Sequence, residues 1–349
     1  MIKKSEVYFI CIAGFTIVSA MVLTFYLPDR FLSDASIIIN DPNNVKGLLG
    51  SYPITIYFYD FFCLNKLPFW IIALIQITII FYFFYKLGVP ENFHKIKVSN
   101  IIIWFSLIII SVYISVPSKE FLNILFVFLL VKIIRGNKSS YKRIILLSLM
   151  LIVFGLLYRP YYALIPALAF VSFFGTKIKS KLKIVNSIFF SLLFVVFLSL
   201  SYGAVKGEFL SESTREALNL KRSQKEDANT MIISPVNTSS AFGESVGILY
   251  GYFSVNLPAE GLKFYKDPQV ILFVFWQFFL FIILFRRFGF YVKYQKGNFN
   301  LIKWTFHILF SYFIVQGLFE PDLGSSVRHK IGILPLIYYA IFIKRLHDK

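Results

Sequence analysis

The chain has 349 residues, of which 57% are hydrophobic, and its 36 Lys and Arg residues against 18 Asp and Glu residues give a net charge of +18. Runs of about 20 apolar residues recur along it, which is the length needed to cross a hydrocarbon core of about 30 Å. This composition excludes a soluble protein. When the apolar runs are placed across a bilayer, the excess of basic residues falls on one side of the membrane. The positive charge is then explained by membrane orientation, which excludes a nucleic-acid-binding role.

The apolar runs predict an all-α polytopic membrane protein with about ten transmembrane helices, because irregular backbone cannot face lipid with its polar groups unsatisfied. The whole chain, residues 1–349, is predicted to form a single integral-membrane domain. The predicted spans are residues 7–27, 67–87, 100–116, 121–134, 144–158, 160–175, 184–204, 270–284, 301–318 and 331–343.

The distribution of charge predicts the orientation of these spans, since basic residues in short loops are retained on the cytoplasmic side. With a cytoplasmic N-terminus, 22 of the 36 basic residues but only 3 of the 18 acidic residues fall inside. We therefore predict that both termini are cytoplasmic. Lys138 and Lys181 are then cytoplasmic, while Ser213 and Asn237 are periplasmic.

Two long periplasmic loops, residues 28–66 and 205–268, follow the first and seventh predicted spans. The first loop ends in an amphipathic, aromatic stretch at residues 54–62. The second contains a Ser-Thr-Arg-Glu sequence at residues 213–216, a capping-box pattern that predicts the start of a short helix. Its later Gly- and Tyr-rich stretch, residues 245–255, is expected to lie on the membrane interface.

Two of the predicted spans are too short unless they carry ionisable side chains below the outer membrane surface. The last span reaches 21 residues only if it begins at Leu323, which submerges Arg328 and His329. Extending the fourth span in the same way submerges Lys119 and Glu120. Charges at this depth usually face a cavity or a partner. His329 could donate to a phosphate oxygen or carry a proton.

Arg159 is a third cation of this kind, since it lies between the fifth and sixth predicted spans and is followed by an aromatic pair that begins at Tyr161. The planar guanidinium group binds phosphate through two parallel hydrogen bonds, whereas lysine acts as a point charge. Three turns that each deliver a cation at similar depth predict a shared anion site. For any one residue the alternative is snorkelling or an outer salt bridge, for example between Arg328 and Glu320 or Asp322.

The first periplasmic loop supplies Asp29, Arg30 and Asp34 within six residues of one another. A carboxylate at this place can accept a proton from a sugar hydroxyl that attacks an anomeric carbon. Loop solvation or helix capping is the alternative for these two acids. The sequence shows no His, Cys and Asp cluster with metal-ligand spacing, so no metal site is predicted.

Four short stretches carry a resemblance to a known family: residues 26–34, 117–121, 158–162 and 320–329. They resemble the Wzy-type bacterial polysaccharide polymerases, which join O-antigen or capsule repeat units. The acidic first outer loop and the long outer loops after spans one and seven resemble the GT-C-like membrane glycosyltransferases. The O-antigen ligase-like branch has its large loop later in the chain, so its arginine-based scheme is not transferred here.

The resemblance implies polymerisation of undecaprenyl-diphosphate-linked oligosaccharide repeat units on the periplasmic face of the bacterial inner membrane. Asp34, with Asp29 behind it, would orient or deprotonate the acceptor hydroxyl, and Arg159, Lys119 and Arg328 would hold the diphosphate. The other predicted substrate-binding residues are Arg30, Glu120, Tyr161, Glu320, Asp322 and His329. No cofactor is implied, because a lipid diphosphate is already an activated leaving group. The expected partners are the lipid-linked oligosaccharide, membrane lipid and a chain-length regulator.

Two alternative functions remain open at the level of sequence. The first is a GT-C-type transferase that adds a single sugar from undecaprenyl phosphate, which the sequence does not separate from a polymerase. The second is a flippase or transporter of lipid-linked oligosaccharides. A flippase needs cations along a cavity open to both faces, whereas the cations of this chain lie at one end of the predicted spans.

Overall fold

The computed structural model describes residues 3–136, 139–222, 230–294 and 300–347, and the named elements in these ranges are all helical. The α-helices, in chain order, are α1 (Lys4–Leu23), α2 (Asp29–Asn40), α3 (Ser51–Phe61), α4 (Phe69–Leu87), α5 (Val98–Tyr113), α6 (Lys119–Arg135), α7 (Ser140–Leu157), α8 (Leu164–Gly175), α9 (Lys183–Lys206), α10 (Ala217–Arg222), α11 (Ala241–Asn256), α12 (Pro268–Tyr294), α13 (Leu301–Phe319), α14 (Leu323–Gly332) and α15 (Leu334–His347).

Six of these helices are long and apolar enough to cross a membrane, namely α1, α4, α7, α9, α12 and α13. Helices α14 and α15 meet the same test only together, as a bent pair. The predicted spans 100–116, 121–134 and 160–175 overlap α5, α6 and α8. These helices have 16, 17 and 12 residues and are shorter than the six candidate membrane helices. A multi-pass membrane protein with six or seven candidate spans is thus established for the described residues, while the count of ten stays a prediction.

The last predicted span is not one continuous helix. Helix α14 does begin at Leu323, as the extension required, but the chain bends by 67° before α15. Pro335 lies in the first turn of α15 and has no amide hydrogen to donate to the carbonyl of Ile331, so the helix cannot run through this point. The amide of Ile333 instead donates to the carbonyl of Lys330, with an N···O distance of 3.2 Å.

The chain divides into two compact units, of which the first comprises Met1–Ser139, Val153–Pro160 and Arg328–Lys349. Within it α1 packs against α4 and α5, and α15 packs against α4, α5 and α6. Helix α15 is buried at every position from Leu334 to Ile343, which is typical of a central helix surrounded by other helices. The first long loop contributes α2 and α3 to this unit, and α3 covers most of the amphipathic stretch.

The second unit comprises Ser140–Ile152 and Tyr161–Val327. Its central helix is α13, which is buried along most of its length and contacts α8, α9, α11 and α12. The stretch 245–255 lies within α11 and packs against α9 and α13. The expectation that it rests on the membrane interface stays a prediction.

The Ser-Thr-Arg-Glu sequence forms a short helical segment, but not through the predicted capping box. A single π-helical turn, Glu212–Glu216, runs directly into α10, and its first residue is preceded by helical backbone at Ser211. The Ser213 hydroxyl donates to the carbonyl of Leu210 at 3.3 Å. Lys138, which was predicted to be cytoplasmic, lies outside the described residues.

Candidate functional site

Seven polar side chains of the first unit converge around two carboxylates, and we call them the polar cluster. They come from α2, α3, the start of α6, the turn after α7, and α14. The members are Asp34, Tyr52, Lys119, Glu120, Arg159, Arg328 and His329. The three cations for which a shared site was predicted therefore do converge in the structure.

The inner part of the polar cluster is a buried ion pair between Glu120 and Arg159. Glu120 is fully buried, and the side chain of Arg159 is 6% exposed. The Nη2 atom of Arg159 lies 2.6 Å from Oε1 of Glu120, and Nη1 lies 3.1 Å from Oε2. This is the bidentate geometry in which both nitrogens at the end of the guanidinium group are used by one carboxylate.

Glu120 is placed by the beginning of α6. Its backbone amide donates to the side-chain oxygen of Ser118 at 3.1 Å, and the Ser118 amide donates to the hydroxyl of Tyr59 at 3.1 Å. A serine in this capping position and a carboxylate in the first turn both stabilise a helix N-terminus. Gly332 permits α14 to approach, because a Cβ atom there would lie 2.8 Å from Oε2 of Glu120.

Arg159 is placed by the turn that ends α7. The amides of Tyr158 and Arg159 both donate to the carbonyl of Phe154, at 2.8 and 3.2 Å, and the following proline prevents the helix from continuing. The Tyr158 hydroxyl donates to the carbonyl of Lys119 at 2.8 Å and lies 3.0 Å from the hydroxyl of Thr55. The turn is therefore held directly against the start of α6.

The outer part of the polar cluster surrounds Asp34. Its carboxylate accepts short hydrogen bonds from Arg328 and from the hydroxyl of Tyr52, and Nζ of Lys119 lies 3.3 Å from Oδ2. The same Lys119 nitrogen is 3.6 Å from the centre of the Tyr52 ring, which adds a cation–π contact. The side chains of Asp34, Lys119 and Arg328 are 17%, 15% and 27% exposed, so a ligand can reach this part.

Arg328 and His329 connect the two parts. Nη2 of Arg328 bonds to Asp34, while its Nε lies 3.6 Å from Oε1 of Glu120. Nε2 of His329 lies 3.6 Å from the same oxygen. With Lys119, Arg159 and Arg328 protonated and two ionised carboxylates, the polar cluster carries one net positive charge even when His329 is neutral, so an anion would be attracted to it.

The charges around Asp34 determine its chemistry. Burial alone would raise the pKa of Asp34, but Arg328, Lys119 and the Tyr52 hydrogen bond outweigh burial and hold this pKa well below its usual range. Burial and the neighbouring carboxylate raise the pKa of the Tyr52 hydroxyl. Asp34 in this arrangement accepts hydrogen bonds and can orient a hydroxyl, and the deprotonating role that the sequence suggested stays a prediction.

The other two predicted residues of the first loop are not part of the polar cluster as described. Asp29 is the first residue of α2 and is exposed there, where an acidic side chain stabilises the helix N-terminus. Its role behind Asp34 stays a prediction, and the alternative of an acidic residue that stabilises the helix N-terminus fits its position in the first turn. The side chain of Arg30 lies outside the described part of the chain.

Three predicted residues belong to the second unit and have structural contacts there. Glu320 is buried and accepts a hydrogen bond from Gln316 at 3.2 Å. Asp322 precedes α14 and accepts hydrogen bonds from the amide and hydroxyl of Ser325, at 2.7 and 2.8 Å, which is the geometry of a helix cap. Tyr161 packs against neighbouring aromatic rings. Their proposed contact with substrate stays a prediction.

Sequence reasoning missed two residues. Tyr52 is the second residue of α3, and nothing in its spacing distinguishes it from other loop tyrosines. Arg215 is fully buried in the second unit and donates to the carbonyls of Gly247 and Gly317, at 3.2 and 3.3 Å. The glycines spaced four apart in α11 were the available signal, since Cβ at Gly251 would lie 2.1 Å from Nη1 of Arg215.

Among the described residues, no group of three or more His, Cys, Asp or Glu side chains could hold a metal ion. Comparison with protein-family models, with curated proteins and with solved structures gives no match to this chain. The polar cluster is therefore the observation from which a function is argued.

Proposed function

We propose that this protein is a membrane glycosyltransferase that polymerises undecaprenyl-diphosphate-linked oligosaccharide repeat units on the periplasmic face of the bacterial inner membrane. The observation that supports this most is the link that Arg328 makes between Asp34 and Glu120. It joins three cations and an accessible carboxylate in one site. Transfer of a glycosyl group from a lipid diphosphate requires cations that stabilise the leaving diphosphate. It also requires a nearby group that accepts a hydrogen bond from the attacking hydroxyl.

The proposal includes the ten-span topology with both termini in the cytoplasm. In this topology α2, α3 and the first turn of α6 are at the periplasmic side, where the lipid-linked donor and acceptor would lie. The apolar helices of the first unit support the membrane part of the proposal. The position of the polar cluster relative to the bilayer follows from the distribution of basic residues along the sequence.

In the reaction, the bond between the anomeric carbon of the donor and the diphosphate oxygen breaks, and its electron pair leaves with the lipid diphosphate. A bond forms between the anomeric carbon and the acceptor hydroxyl oxygen, and the hydroxyl proton passes to the carboxylate of Asp34. Arg328 and Lys119 would stabilise the charge on the leaving diphosphate, because they are the more exposed cations of the polar cluster. Arg159 would position Glu120 rather than bind substrate, because both of its terminal nitrogens bond to that carboxylate.

Deleting the gene in its native cells tests the proposal, with the sugar chain on each lipid carrier analysed by electrophoresis and mass spectrometry. Carriers that bear a single repeat unit are expected. Arg328→Gln should fail to restore long chains although the protein is inserted in normal amounts. Lys46→Gln should restore them, since Lys46 is an exposed cation paired with Asp60 and does not belong to the polar cluster.

Other results of the same experiment would contradict the proposal. Long chains that lack one branching sugar would indicate a single-sugar transferase. Accumulation of complete repeat units on the cytoplasmic side would indicate a flippase. Unchanged sugar chains after deletion would exclude all three activities in those cells.

A further inference from the structure

We propose that Asp34 is an internal counter-ion that occupies the anion-binding position of the empty protein, and that a phosphate group of the ligand displaces it. The ligand class is a diphosphate, either free or at the head of a lipid. This inference rests on the proposed function for the identity of the reaction. The displacement itself is a binding event that can be measured without any glycosyl transfer.

The cations of the polar cluster are divided between its two carboxylates. Glu120 holds Arg159 through two hydrogen bonds in a fully buried position, so this pair is fixed. Arg328 and Lys119 both bond to Asp34, and all three of these side chains are partly exposed. A ligand from outside therefore meets the two cations that Asp34 neutralises, and it must compete with Asp34 to bind them.

Three donors surround the carboxylate of Asp34. Arg328 and Lys119 both approach Oδ2, while the Tyr52 hydroxyl approaches Oδ1. A guanidinium group and an ammonium group that converge on one oxygen form a donor pair suited to phosphate oxygens, whereas the Tyr52 hydroxyl bonds to the other oxygen and holds the carboxylate in place. A diphosphate offers more acceptor oxygens and more negative charge than a carboxylate, so it is the stronger ligand for these donors.

The competing carboxylate and the two cations that it neutralises come from different helices. Asp34 lies on α2, whereas Lys119 begins α6 and Arg328 lies on α14. Helix α2 is anchored by Ala35 and Ile38, which are 0% and 1% exposed. Rotation of the Asp34 side chain can therefore vacate the anion position while the backbone of α2 and both cations stay in place.

The displacement gives Asp34 a second state with different chemistry. In the empty protein its three donors keep the pKa of the carboxyl group low. Once phosphate takes Arg328 and Lys119, the carboxylate loses its two compensating charges and stands beside a dianionic ligand, which raises its proton affinity. Asp34 would then be available to an acceptor hydroxyl only after the donor diphosphate is bound, so that binding of the donor activates the site.

The test is a binding measurement with full-length protein in nanodiscs, using inorganic pyrophosphate and farnesyl diphosphate as separate probes and no sugar acceptor. Asp34→Asn should bind both probes about 10-fold more tightly than the wild type, since a competing charge-assisted interaction is removed. Arg328→Gln should bind at least about 10-fold more weakly. Asp60→Asn is the matched control and should leave both affinities unchanged, because Asp60 is exposed on α3 and pairs with Lys46.

Tyr52→Phe provides a second variant in case Asp34→Asn does not fold. It removes one donor to Asp34 without changing any charge, so displacement should become easier and binding about 2- to 3-fold tighter. If Asp34→Asn, or Tyr52→Phe in its place, binds the probes no more tightly than the wild type, Asp34 does not compete with the ligand and the inference is wrong.

The two probes also distinguish the source of the diphosphate. Equal gains with both probes support displacement by the diphosphate group itself. A gain confined to farnesyl diphosphate supports displacement by a lipid-borne group. Tighter binding in Asp34→Asn together with normal polymer in cells lacking the protein would retain the displacement and overturn the proposed function.

Discussion

The pair of Glu120 and Arg159 allows a quantitative test of how the polar cluster is built. Removing one partner of a buried ion pair costs about 3–5 kcal/mol, because the other charge is left without compensation. After Arg159→Gln, Glu120 keeps Arg328 and His329, each at 3.6 Å, so we expect a loss near the lower limit, about 3 kcal/mol. After Glu120→Gln, Arg159, Arg328 and His329 all lose a counter-charge, so we expect a loss near the upper limit, about 5 kcal/mol.

The free energy of unfolding would be measured by titrating purified protein from a mild detergent into a denaturing detergent. The double variant Glu120→Gln/Arg159→Gln should lose less stability than the sum of the two single losses, by about 0.5–3 kcal/mol, which is the coupling of residues in direct contact. Arg159→Lys keeps the charge but cannot form both parallel bonds, and it should lose about 1.5–3 kcal/mol.

The matched control is the exposed pair of Lys46 and Asp60, whose side chains are 42% and 39% exposed. Asp60→Asn should leave the free energy of unfolding almost unchanged, since solvent screens such pairs. The reasoning would be refuted if Arg159→Gln lost more unfolding free energy than Glu120→Gln. This order would contradict the conclusion that Glu120 is a counter-charge for Arg328 and His329 as well as for Arg159. Strictly additive losses in the double variant would show that the two side chains do not interact.

Three further predictions concern other parts of the chain. Because the pKa of Asp34 is lowered on folding, its contribution to stability should be complete above pH about 4 and decline at lower pH. The difference in unfolding free energy between wild type and Asp34→Asn should therefore shrink as the buffer is acidified below about pH 4. A difference that grows there would contradict the lowered pKa of Asp34. Gly251→Ala should destabilise the protein severely in a thermal-denaturation assay, since its Cβ would lie 2.2 Å from the carbonyl oxygen of Gly317. Gly14→Ala is the control and should be tolerated, because no atom of another element lies within 4 Å of the added Cβ. Equal effects of the two variants would argue against the close approach of α11 to α13. A cysteine at Ser213 should react with an impermeant reagent added to intact cells and one at Lys181 should not, in a cysteine-free background because both native cysteines are exposed; the reverse pattern would invert the topology.

The sequence by itself determined the class of the protein and the positions at which charge is unusual. Apolar runs of membrane-spanning length are a property of composition along the chain, so the helical membrane character could be predicted without any contact. The cost of placing ionisable groups in lipid also marked Lys119, Arg159 and Arg328 as a set, and the structure brings them together.

Tertiary structure decided which charge pairs with which. Asp34 and Arg328 are separated by 294 positions, and no local pattern shows that one carboxylate would meet a cation from the far end of the chain. For the same reason the sequence did not show that Glu120 binds both terminal nitrogens of Arg159. Tyr52 was missed because the fold, and not the local sequence, brings its hydroxyl to the carboxylate of Asp34.

Helix length was another quantity that local pattern alone overestimated. The requirement for about 20 residues per span correctly placed the start of α14 at Leu323. The prediction of one continuous helix from there was wrong, because it did not take account of Pro335 in the next segment. The resulting 67° bend directly follows Gly332, the residue whose small size lets α14 approach Glu120. Apolar periodicity predicts which segments enter a membrane, while the direction of each segment and the partners of its charged side chains depend on packing between helices distant in sequence.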